Sequence, residues 1–401
     1  MKKLFALVLT FALALTLCAS AFAEGGYSGD LKVWVADAAV DFTVGQIDAF
    51  KAANPEYADM NVTVEAVGEG DAASKVITDV EAAADIFGFA QDQLARMVAA
   101  GAVEVVEPGN AETVKAENDA GAVSAVTMGD EMYAYPLTSD NGYFLYYDKS
   151  VVTDPSTLEQ ILADCEAAGK SFYMELNSGW YQTAFFFGAG CTLTYDSDNE
   201  GNLTKCNVDY ASENGLKAFK SIIKVAASPA FVNGSSISNA TNVAAIVDGT
   251  WDSEAAKELF GDNYAAAKLP TVDGYQMSGF GGFKMLGVKP QEDEAKLAAC
   301  DALAAWLSSG DVQLARYEVL GWGPSNLAAQ QSDAVKADVA LSALADQLQY
   351  TIPQGQYPGD YWSLATGLGD NIIGHKYDGA DDDALMTALT EFQDTCVSYA
   401  G

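Results

Sequence analysis

The sequence has little of what side-chain catalysis usually requires. Its 401 residues include a single histidine, His375, beside Lys376 in a segment that we predict to be a solvated surface loop. It contains no G-x-S-x-G elbow, no H-E-x-x-H metal pair and no phosphate-binding P-loop. Enzyme chemistry therefore has no positive support, and we expect no catalytic residues, no metal site and no cofactor.

Basic residues are also scarce. The chain has 21 lysines and arginines against 56 aspartates and glutamates, which gives a formal net charge of −35 at pH 7. A surface this negative gains nothing from counterion release on a phosphate backbone, so nucleic acid and acidic partners are disfavoured. The simplest interpretation of this charge is an acidic surface in contact with solvent, and it gives no information about the fold.

Long apolar runs are missing after the N-terminus. The chain opens MKKLFALVLTFALALTLCASAFAEGG, in which two lysines precede an apolar run over 4–17 and an A-x-A site ends at Ala23. This pattern predicts a secretory signal over 1–23, and the run is shorter than the roughly 20 residues of a membrane span. We expect an exported protein, periplasmic or on the cell surface. Cys18 leaves a lipid anchor open, although Leu17 before it is larger than such a signal prefers.

Removal of residues 1–23 leaves five of the six cysteines, an odd number that requires at least one free thiol after export. Cys191 and Cys206 flank a predicted hairpin, CTLTYDSDNEGNLTKC, and they either form a disulfide across it or remain free. The tip DSDNEGN resembles the start of a calcium loop. Because position 12 of that loop is Asn207 rather than glutamate, we predict an ordinary Asp/Asn/Gly turn.

Strand and helix patterns alternate along the chain. LKVWVA at 31–36, NVTVEAV and ADIFGFA predict strands, with a helix before Pro55 and a helical stretch over 72–84. Such alternation is typical of the α/β class with parallel pairing, and the length favours two lobes. YAYPLTSDNGYFLYYDKS predicts a strand that leaves one sheet and enters another. Later, WYQTAFFFGAG predicts an apolar helix, and AAIVDGTW predicts a buried strand whose turn places Trp251 at its end.

Aromatic residues recur at the predicted boundaries of these elements, with carboxylates or amides nearby. The groups are Phe89 with Asp92, Tyr143 with Asp140 and Asn141, Trp180 with Tyr181, Trp251 with Asp252, and Tyr361 and Trp362 with Asp360. A sugar ring offers an apolar face to an aromatic ring and hydroxyls to a carboxylate. Any one of these aromatics is more simply explained by core packing. Their shared position at turns favours ligand contact for the set.

With these residues in view, the chain resembles the extracellular solute-binding proteins of carbohydrate ABC importers, the family that includes maltose/maltodextrin-binding proteins. The resemblance extends over nearly the whole chain after residue 23. It rests on the order and spacing of several short segments, none decisive alone: LKVWVA, ADIFGFAQDQLARMVAAGAV, YAYPLTSDNGYFLYYDKSVV, AAIVDGTW and GWGPSN.

This resemblance implies a two-lobe, type II binding-protein fold. The first lobe would comprise 24–138 and 285–333, and the second 139–284 and 334–401. Hinge crossovers would lie near 138–142, 280–286 and 330–340. The implied function is a monomeric receptor that closes on a maltodextrin-like oligosaccharide and delivers it to the permease subunits of an ABC importer.

The resemblance also implies individual binding residues. The acids that hold sugar hydroxyls match Asp92, Asp140 and Asp37. The aromatic residues match Phe89, Trp180, Trp251 and Trp362, and Asn141, Tyr181 and Tyr361 are their neighbours. Two positions depart from the pattern, because Ala38 and Gln93 stand where maltose binders have basic residues. Two alternatives remain: a receptor for polyamines or other cations, in which tryptophans and acids form a cage, and a secreted glycoside hydrolase.

Overall fold

The computed structural model describes residues 26–237 and 240–401. The predicted signal over 1–23 and the alternative anchor at Cys18 lie outside the described residues. Within the described ranges, none of the helices combines the length and the hydropathy that a membrane span requires.

Eighteen strands, numbered in chain order, lie within residues 26–237 and 240–401. They are β1 Asp30–Val35, β2 Asn61–Ala66, β3 Ile86–Ala90, β4 Thr127–Met128, β5 Glu131–Met132, β6 Tyr135–Thr138, β7 Phe144–Asp148, β8 Ser171–Tyr173, β9 Leu193–Ser197, β10 Leu203–Val208, β11 Phe231–Val232, β12 Val243–Asp248, β13 Tyr264–Ala267, β14 Thr271–Val272, β15 Tyr275–Gln276, β16 Phe280–Gly281, β17 Lys284–Val288 and β18 Ile352–Pro353.

The α-helices of the described residues are named in the same way. They are α1 Val40–Ala53, α2 Ala72–Thr78, α3 Leu94–Ala99, α4 Pro108–Glu117, α5 Ala120–Ala125, α6 Leu158–Ala167, α7 Gly179–Gly188, α8 Glu213–Ala226, α9 Ser253–Phe260, α10 Glu294–Leu307, α11 Gly310–Leu320, α12 Leu327–Gln330, α13 Asp333–Ala337, α14 Val339–Leu348, α15 Gly359–Ile373 and α16 Asp382–Val397.

The first lobe is built on a five-stranded sheet in the order β2-β1-β3-β17-β6. Strands β2, β1 and β3 are parallel, whereas β17 runs antiparallel to both β3 and β6. Helices α1 and α10 pack on this sheet and on each other, and the apolar side chains between them form one core. The strands supply β-branched and aromatic residues to this core, as Val33 and Phe87 illustrate.

The second lobe is built on another five-stranded sheet, in the order β11-β8-β12-β7-β13. Its central strand β12 is buried on both faces, with Val247 in the larger core and Ile246 in a smaller core beneath α14. Helices α7, α8, α15 and α16 cover the larger core. This two-sided burial explains why the sequence of β12 is a continuous apolar run rather than an alternating one.

Three passages connect the lobes. The chain crosses first between β6 and β7, and then returns between β16 and β17. It crosses a third time after α12, since α14 packs on β13 of the second sheet. Strand β18 then pairs with β16 in parallel, which aligns Phe280 with Ile352 and Gly281 with Pro353. These connections form the two-lobe α/β architecture that the sequence predicts.

The parallel pairing expected of the first three strands is confirmed, because β1 is parallel to both β2 and β3. Strands that follow a crossover, such as β7 and β17, run antiparallel to their neighbours, so both sheets are mixed. One detail of the predicted elements is wrong. The helical stretch expected over 72–84 ends at Thr78, where the chain enters a turn. The backbone N–H of Ala82 donates to Asp79 Oδ1 there, at 3.0 Å, and this local bond competes with helix continuation.

The hairpin of β9 and β10 favours free thiols over a disulfide between Cys191 and Cys206, the two alternatives that the sequence leaves open. Its register places Cys206 opposite Tyr195, whereas Cys191 precedes β9 and lies beside Thr192, which bonds to Asp209. The offset along the strands is too large for a disulfide, and both thiols are free. At the tip, Asp198 accepts hydrogen bonds from the backbone of Glu200 and Asn202. The tip is therefore the Asp/Asn/Gly turn that the sequence predicts.

Candidate functional site

A cleft of about 620 Å³ lies between the two lobes. Residues that follow the carboxyl ends of β1, β2, β3 and β12 reach it, which is where ligands bind in open α/β sheets. Its volume falls within the roughly 300–1,000 Å³ typical of small-molecule sites. Its lining includes Ala36, Ala38, Glu69, Asp71, Ser74, Asp92, Gln93, Arg96, Asn141, Trp180, Trp251, Asp252, Lys284, Trp322, Gln354 and Trp362.

Three tryptophans of the second lobe, Trp180, Trp251 and Trp362, form what we call the indole wall. Trp180 begins helix α7 and Trp362 lies in the first turn of α15, so neither side chain is enclosed by its own helix. The rings of Trp180 and Trp251 are 5.7 Å apart between centroids and tilted by 44°. All three indoles are half-buried and face the cleft.

The position of Trp251 follows from the turn after β12. A 3₁₀ turn over Thr250–Asp252 begins directly after Gly249 and turns the indole back over that glycine. A Cβ at Gly249 would lie 2.1 Å from two carbons of the Trp251 ring, so any larger residue would displace the indole from its present position. The Tyr146 hydroxyl donates to the Gly249 carbonyl at 2.9 Å and fixes the turn from the sheet side.

Four residues of the first lobe, Glu69, Asp92, Arg96 and Lys284, form what we call the charged wall. Asp92 lies in the 3₁₀ turn Gln91–Gln93 after β3 and is only 4% exposed. Among the described residues, its carboxyl accepts a hydrogen bond only from its own backbone N–H. Burial raises the pKa of this carboxyl to about 7, and the nearby Arg96 guanidinium opposes that rise. The carboxyl is an acceptor with free capacity, and it faces the cleft.

Arg96 is one helical turn after Asp92. Its Nη1 donates to Ser74 Oγ at 3.2 Å, while its buried Nε has no hydrogen-bond partner in the described structure. A Cβ at Gly359 would lie 2.8 Å from Arg96 Nη1, so the guanidinium reaches the start of α15 in the second lobe. Gln93, in place of the basic residue expected there, instead accepts from the backbone of Ala73 at 3.1 Å.

Lys284 completes the charged wall. Its ammonium lies 4.6 Å from the ring centroid of Trp322 and 5.0 Å from that of Trp251. Glu69 Oε1 is 3.9 Å away, so a carboxylate and two indole faces surround the cation. Trp251 belongs to the second lobe, and this contact therefore joins the two walls.

Polar residues of the crossovers close the hinge end of the cleft. Gln354 follows β18, and its Oε1 accepts from Trp180 Nε1 and from Asn141 Nδ2, both at 3.3 Å. The backbone of Gln354 also donates to Gly281 in the second crossover, at 2.9 Å. Through its side chain and its backbone, Gln354 therefore links Trp180 of the indole wall to the first and second crossovers.

The structure brings half of the predicted binding residues to the cleft and places the other half elsewhere. Those that line it are Asp92, Asn141, Trp180, Trp251 and Trp362. Phe89 is wholly buried against Phe87 in the first core, and Tyr181 and Tyr361 are buried in the core of the second lobe. Asp37 is exposed at the cleft edge, although Ala36 and Ala38 on either side line the cleft.

Asp140 has a different environment from the one that the resemblance implies. It is 2% exposed, and its Oδ2 accepts hydrogen bonds from Thr250 Oγ1 and from the backbone N–H of Gly323. Its carboxylate also lies near the buried Arg316 guanidinium. Asp140 does not line the cleft; it ties the first crossover to the turn that carries Trp251.

Sequence reasoning missed several lining residues. Arg96 carried a local signal, because it is four residues after Asp92 and that spacing places two residues on one face of a helix. Trp322 lies in the GWGPSN segment, but the resemblance implies no binding role for it. Lys284 and Glu69 carried no local signal, because only the pairing of β17 beside β3 brings them together.

The comparisons with known proteins agree with this architecture. Residues 45–343 match the model of a family described as bacterial extracellular solute-binding protein. One solved structure, described as a complex with acarbose, is 27% identical with a TM-score of 0.79 and covers 92% of this chain and 98% of its own. The unliganded maltodextrin-binding protein MalE1 from L. casei BL23 is 25% identical with a TM-score of 0.73, covering 93% and 99%.

A third solved structure, the maltose-maltodextrin binding protein of Alicyclobacillus acidocaldarius, is 18% identical and shares the fold, with a TM-score of 0.74 over 90% of this chain and 99% of its own. Among curated protein sequences, no significant match is found. The family match covers well over half of the chain. The protein is a member of the bacterial extracellular solute-binding protein family.

Proposed function

We propose that this protein is an extracytoplasmic receptor for a maltodextrin-like oligosaccharide. One observation carries the proposal: the indole wall faces the buried, otherwise unbonded Asp92 carboxyl across a single cleft. Indoles cover the apolar faces of pyranose rings, and a carboxylate accepts hydrogen bonds from their hydroxyls. The two kinds of contact come from opposite lobes, so a ligand must touch both.

The ligand class follows from the site together with its relatives. One similar structure is described as holding acarbose and another is named as a maltodextrin binder. Three indoles along one wall suit a chain of several rings better than a single sugar. A ligand that contacts both lobes favours the closed form by its differential affinity for that form, and this is how binding drives closure.

A receptor function also implies a transport partner and a location outside the cytoplasm. We infer that the protein acts as a monomer, is exported, and delivers its ligand to the permease subunits of an ABC importer. We place the lobes at 24–138 with 285–333 and at 139–284 with 334–401, because each set of segments has its own core. Lys284 lies at this boundary and is counted with the first lobe, because it begins β17 of the first sheet. Intact-mass measurement of the exported protein distinguishes cleavage after Ala23 from lipidation at Cys18.

A polyamine receptor is the closest rival. The cleft contains more acids than bases, and its tryptophans could surround a cation. The space between Trp251 and Trp322 is, however, already occupied by the Lys284 ammonium. A second cation there would meet like charge, so the observation favours a neutral ligand over spermidine.

Isothermal titration of the purified protein with maltotriose, xylotriose and spermidine tests the proposal. We expect maltotriose to bind with micromolar affinity, about −8 kcal/mol, to which the three stacked indoles contribute about 3–6 kcal/mol and hydrogen bonds to the charged wall the remainder. Binding of spermidine alone would reject a sugar receptor. Chromatography of the recovered maltotriose after overnight incubation tests the inference that the protein is no enzyme, because a shortened product would show hydrolysis.

A further inference from the structure

Lys284 is the first residue of β17, directly after the second crossover, and its side chain is only 9% exposed. Its neighbours across the sheet are Ala90 at the end of β3 and Thr138 at the end of β6. The backbone is therefore held on both sides by strands. The ammonium projects into the cleft between the indoles of Trp251 and Trp322.

The contacts of this ammonium fix its position, but none of them is a hydrogen bond from its N–H groups. The nearest carboxylate oxygen, Glu69 Oε1, is 3.9 Å away, which is beyond hydrogen-bond distance. Within the described residues, Lys284 Nζ donates no hydrogen bond. A lysine ammonium carries three N–H donors, and buried donors are nearly always paired. The donors of Lys284 are thus directed into the one space from which a ligand can satisfy them.

The surrounding residues make this cation the main donor on its side of the cleft. Ala38 and Gln93 line the same cleft but supply no positive charge. Arg96, the other base of the charged wall, has one of its nitrogens bound to Ser74. Lys284 alone is fixed between two aromatic faces, which limits the rotamer entropy that a donating lysine would otherwise lose on binding.

We propose that Lys284 is a specificity-determining residue that donates hydrogen bonds to hydroxyl or ring oxygens of the sugar residue that lies beside Trp251 on the indole wall. The inference rests on the proposed function and adds a residue to it. The ligand class that it selects is a saccharide with acceptor oxygens at the edge of that ring. Trp322 and Glu69 act as positioning residues, because they contact the ammonium and hold it at the wall.

The test compares Lys284→Met, which keeps the length of the side chain and removes its donors, with Lys284→Arg, which keeps both charge and donors. Isothermal titration with maltotriose should show a loss of about 10- to 100-fold for the methionine variant and about five-fold or less for the arginine variant. Lys217→Met is the matched control, since Lys217 also lies over a ring, Tyr275, but outside the cleft. It should leave the affinity unchanged.

The possible results distinguish a failure of the Lys284 inference from a failure of the proposed receptor function. A folded Lys284→Met protein that binds within three-fold of the parent overturns the inference while the receptor function stands. A parent that binds none of the oligosaccharides rejects the proposed function and this inference together. If the methionine variant does not fold, the ¹⁵Nζ resonance of Lys284 in the parent decides: it should shift on addition of maltotriose, and an unmoved signal overturns the inference.

Discussion

The two walls of the cleft are built from different chemistry. The second lobe contributes the indole wall, and the first lobe contributes the charged wall. The indoles stand at the starts of helices α7 and α15 and in the turn after β12, so their positions are set by local turns. The charged residues depend on strand pairing and on each other, as the contact of Lys284 with Glu69 shows.

This difference suggests a division of labour. Apolar stacking requires little reorganisation and tolerates several ring sequences, so the indole wall can hold a sugar chain before closure. Hydrogen bonds to carboxylates and ammonium groups depend on distance and angle, so they form once the lobes close. The indole wall should therefore set most of the affinity, and the charged wall should set the choice of ligand.

Loss of an indole should have the largest effect. Trp251→Ala removes a stacking surface and one of the two rings that hold Lys284. We expect maltotriose affinity to fall about 100-fold by isothermal titration, which corresponds to about 3 kcal/mol. Trp251→Phe is the control and should lose less, because it keeps part of the aromatic face. A folded alanine variant with parental affinity would refute the role of the indole wall.

Loss of the buried carboxylate should come second. Asp92→Asn keeps the shape of the side chain and removes its charge, so hydroxyl donors meet a weaker acceptor. We expect about a 20-fold weaker affinity for maltotriose. Asp71→Asn is a useful comparison, since Asp71 lines the same cleft but is exposed, and should change affinity by less than about three-fold. Equal effects of the two substitutions would contradict the assignment.

The pKa of Asp92 predicts a pH dependence in both binding and stability. Because burial raises this pKa from 3.8 to about 7, the carboxyl favours the folded state below about pH 4, and this contribution is lost as pH rises towards 7. Sugar hydroxyls donate to the ionised form, so maltotriose should bind about ten-fold more weakly at pH 6 than at pH 8. Titrations of the parent and of Asp92→Asn at both pH values check this, and an equally steep profile in the variant would exclude Asp92 as the cause.

Displacing an indole without removing it should have the smallest effect. Gly249→Ala places a methyl group where the Trp251 ring now lies, so the ring must tilt. We expect about a five-fold loss of maltotriose affinity and a changed tryptophan fluorescence spectrum, because four of the six tryptophans line the cleft. Gly45→Ala, in open space on helix α1, is the matched control and should change neither measurement. No effect at Gly249 would show that the ring position is unimportant.

The same contrast explains how much the sequence could predict. Local patterns predict the strands and helices of the two-lobe fold. They also predict the positions of Trp180, Trp251 and Trp362, because each tryptophan lies directly beside a strand end or a helix start. Phe89 was misplaced because successive strand residues face opposite sides, and one position decides between core and cleft.

The charged wall could be predicted only in part. Asp92 follows its own strand, whereas Lys284 reaches the site through a strand that returns from the other lobe. Asp140 has the expected residue type at the expected place, but its hydrogen bonds to Thr250 and Gly323 turn it away from the cleft. Whether such a side chain reaches the cleft depends on contacts between residues far apart in the chain. The local sequence around each residue does not reveal these contacts.

A crystal structure of the protein with maltotriose would test the division between the two walls most directly. We expect pyranose rings stacked on the indole wall, with hydroxyl oxygens within hydrogen-bond distance of the Asp92 carboxylate and of Lys284 Nζ. A ligand bound in the cleft with no ring facing Trp180, Trp251 or Trp362, or one bound outside the cleft, would contradict it.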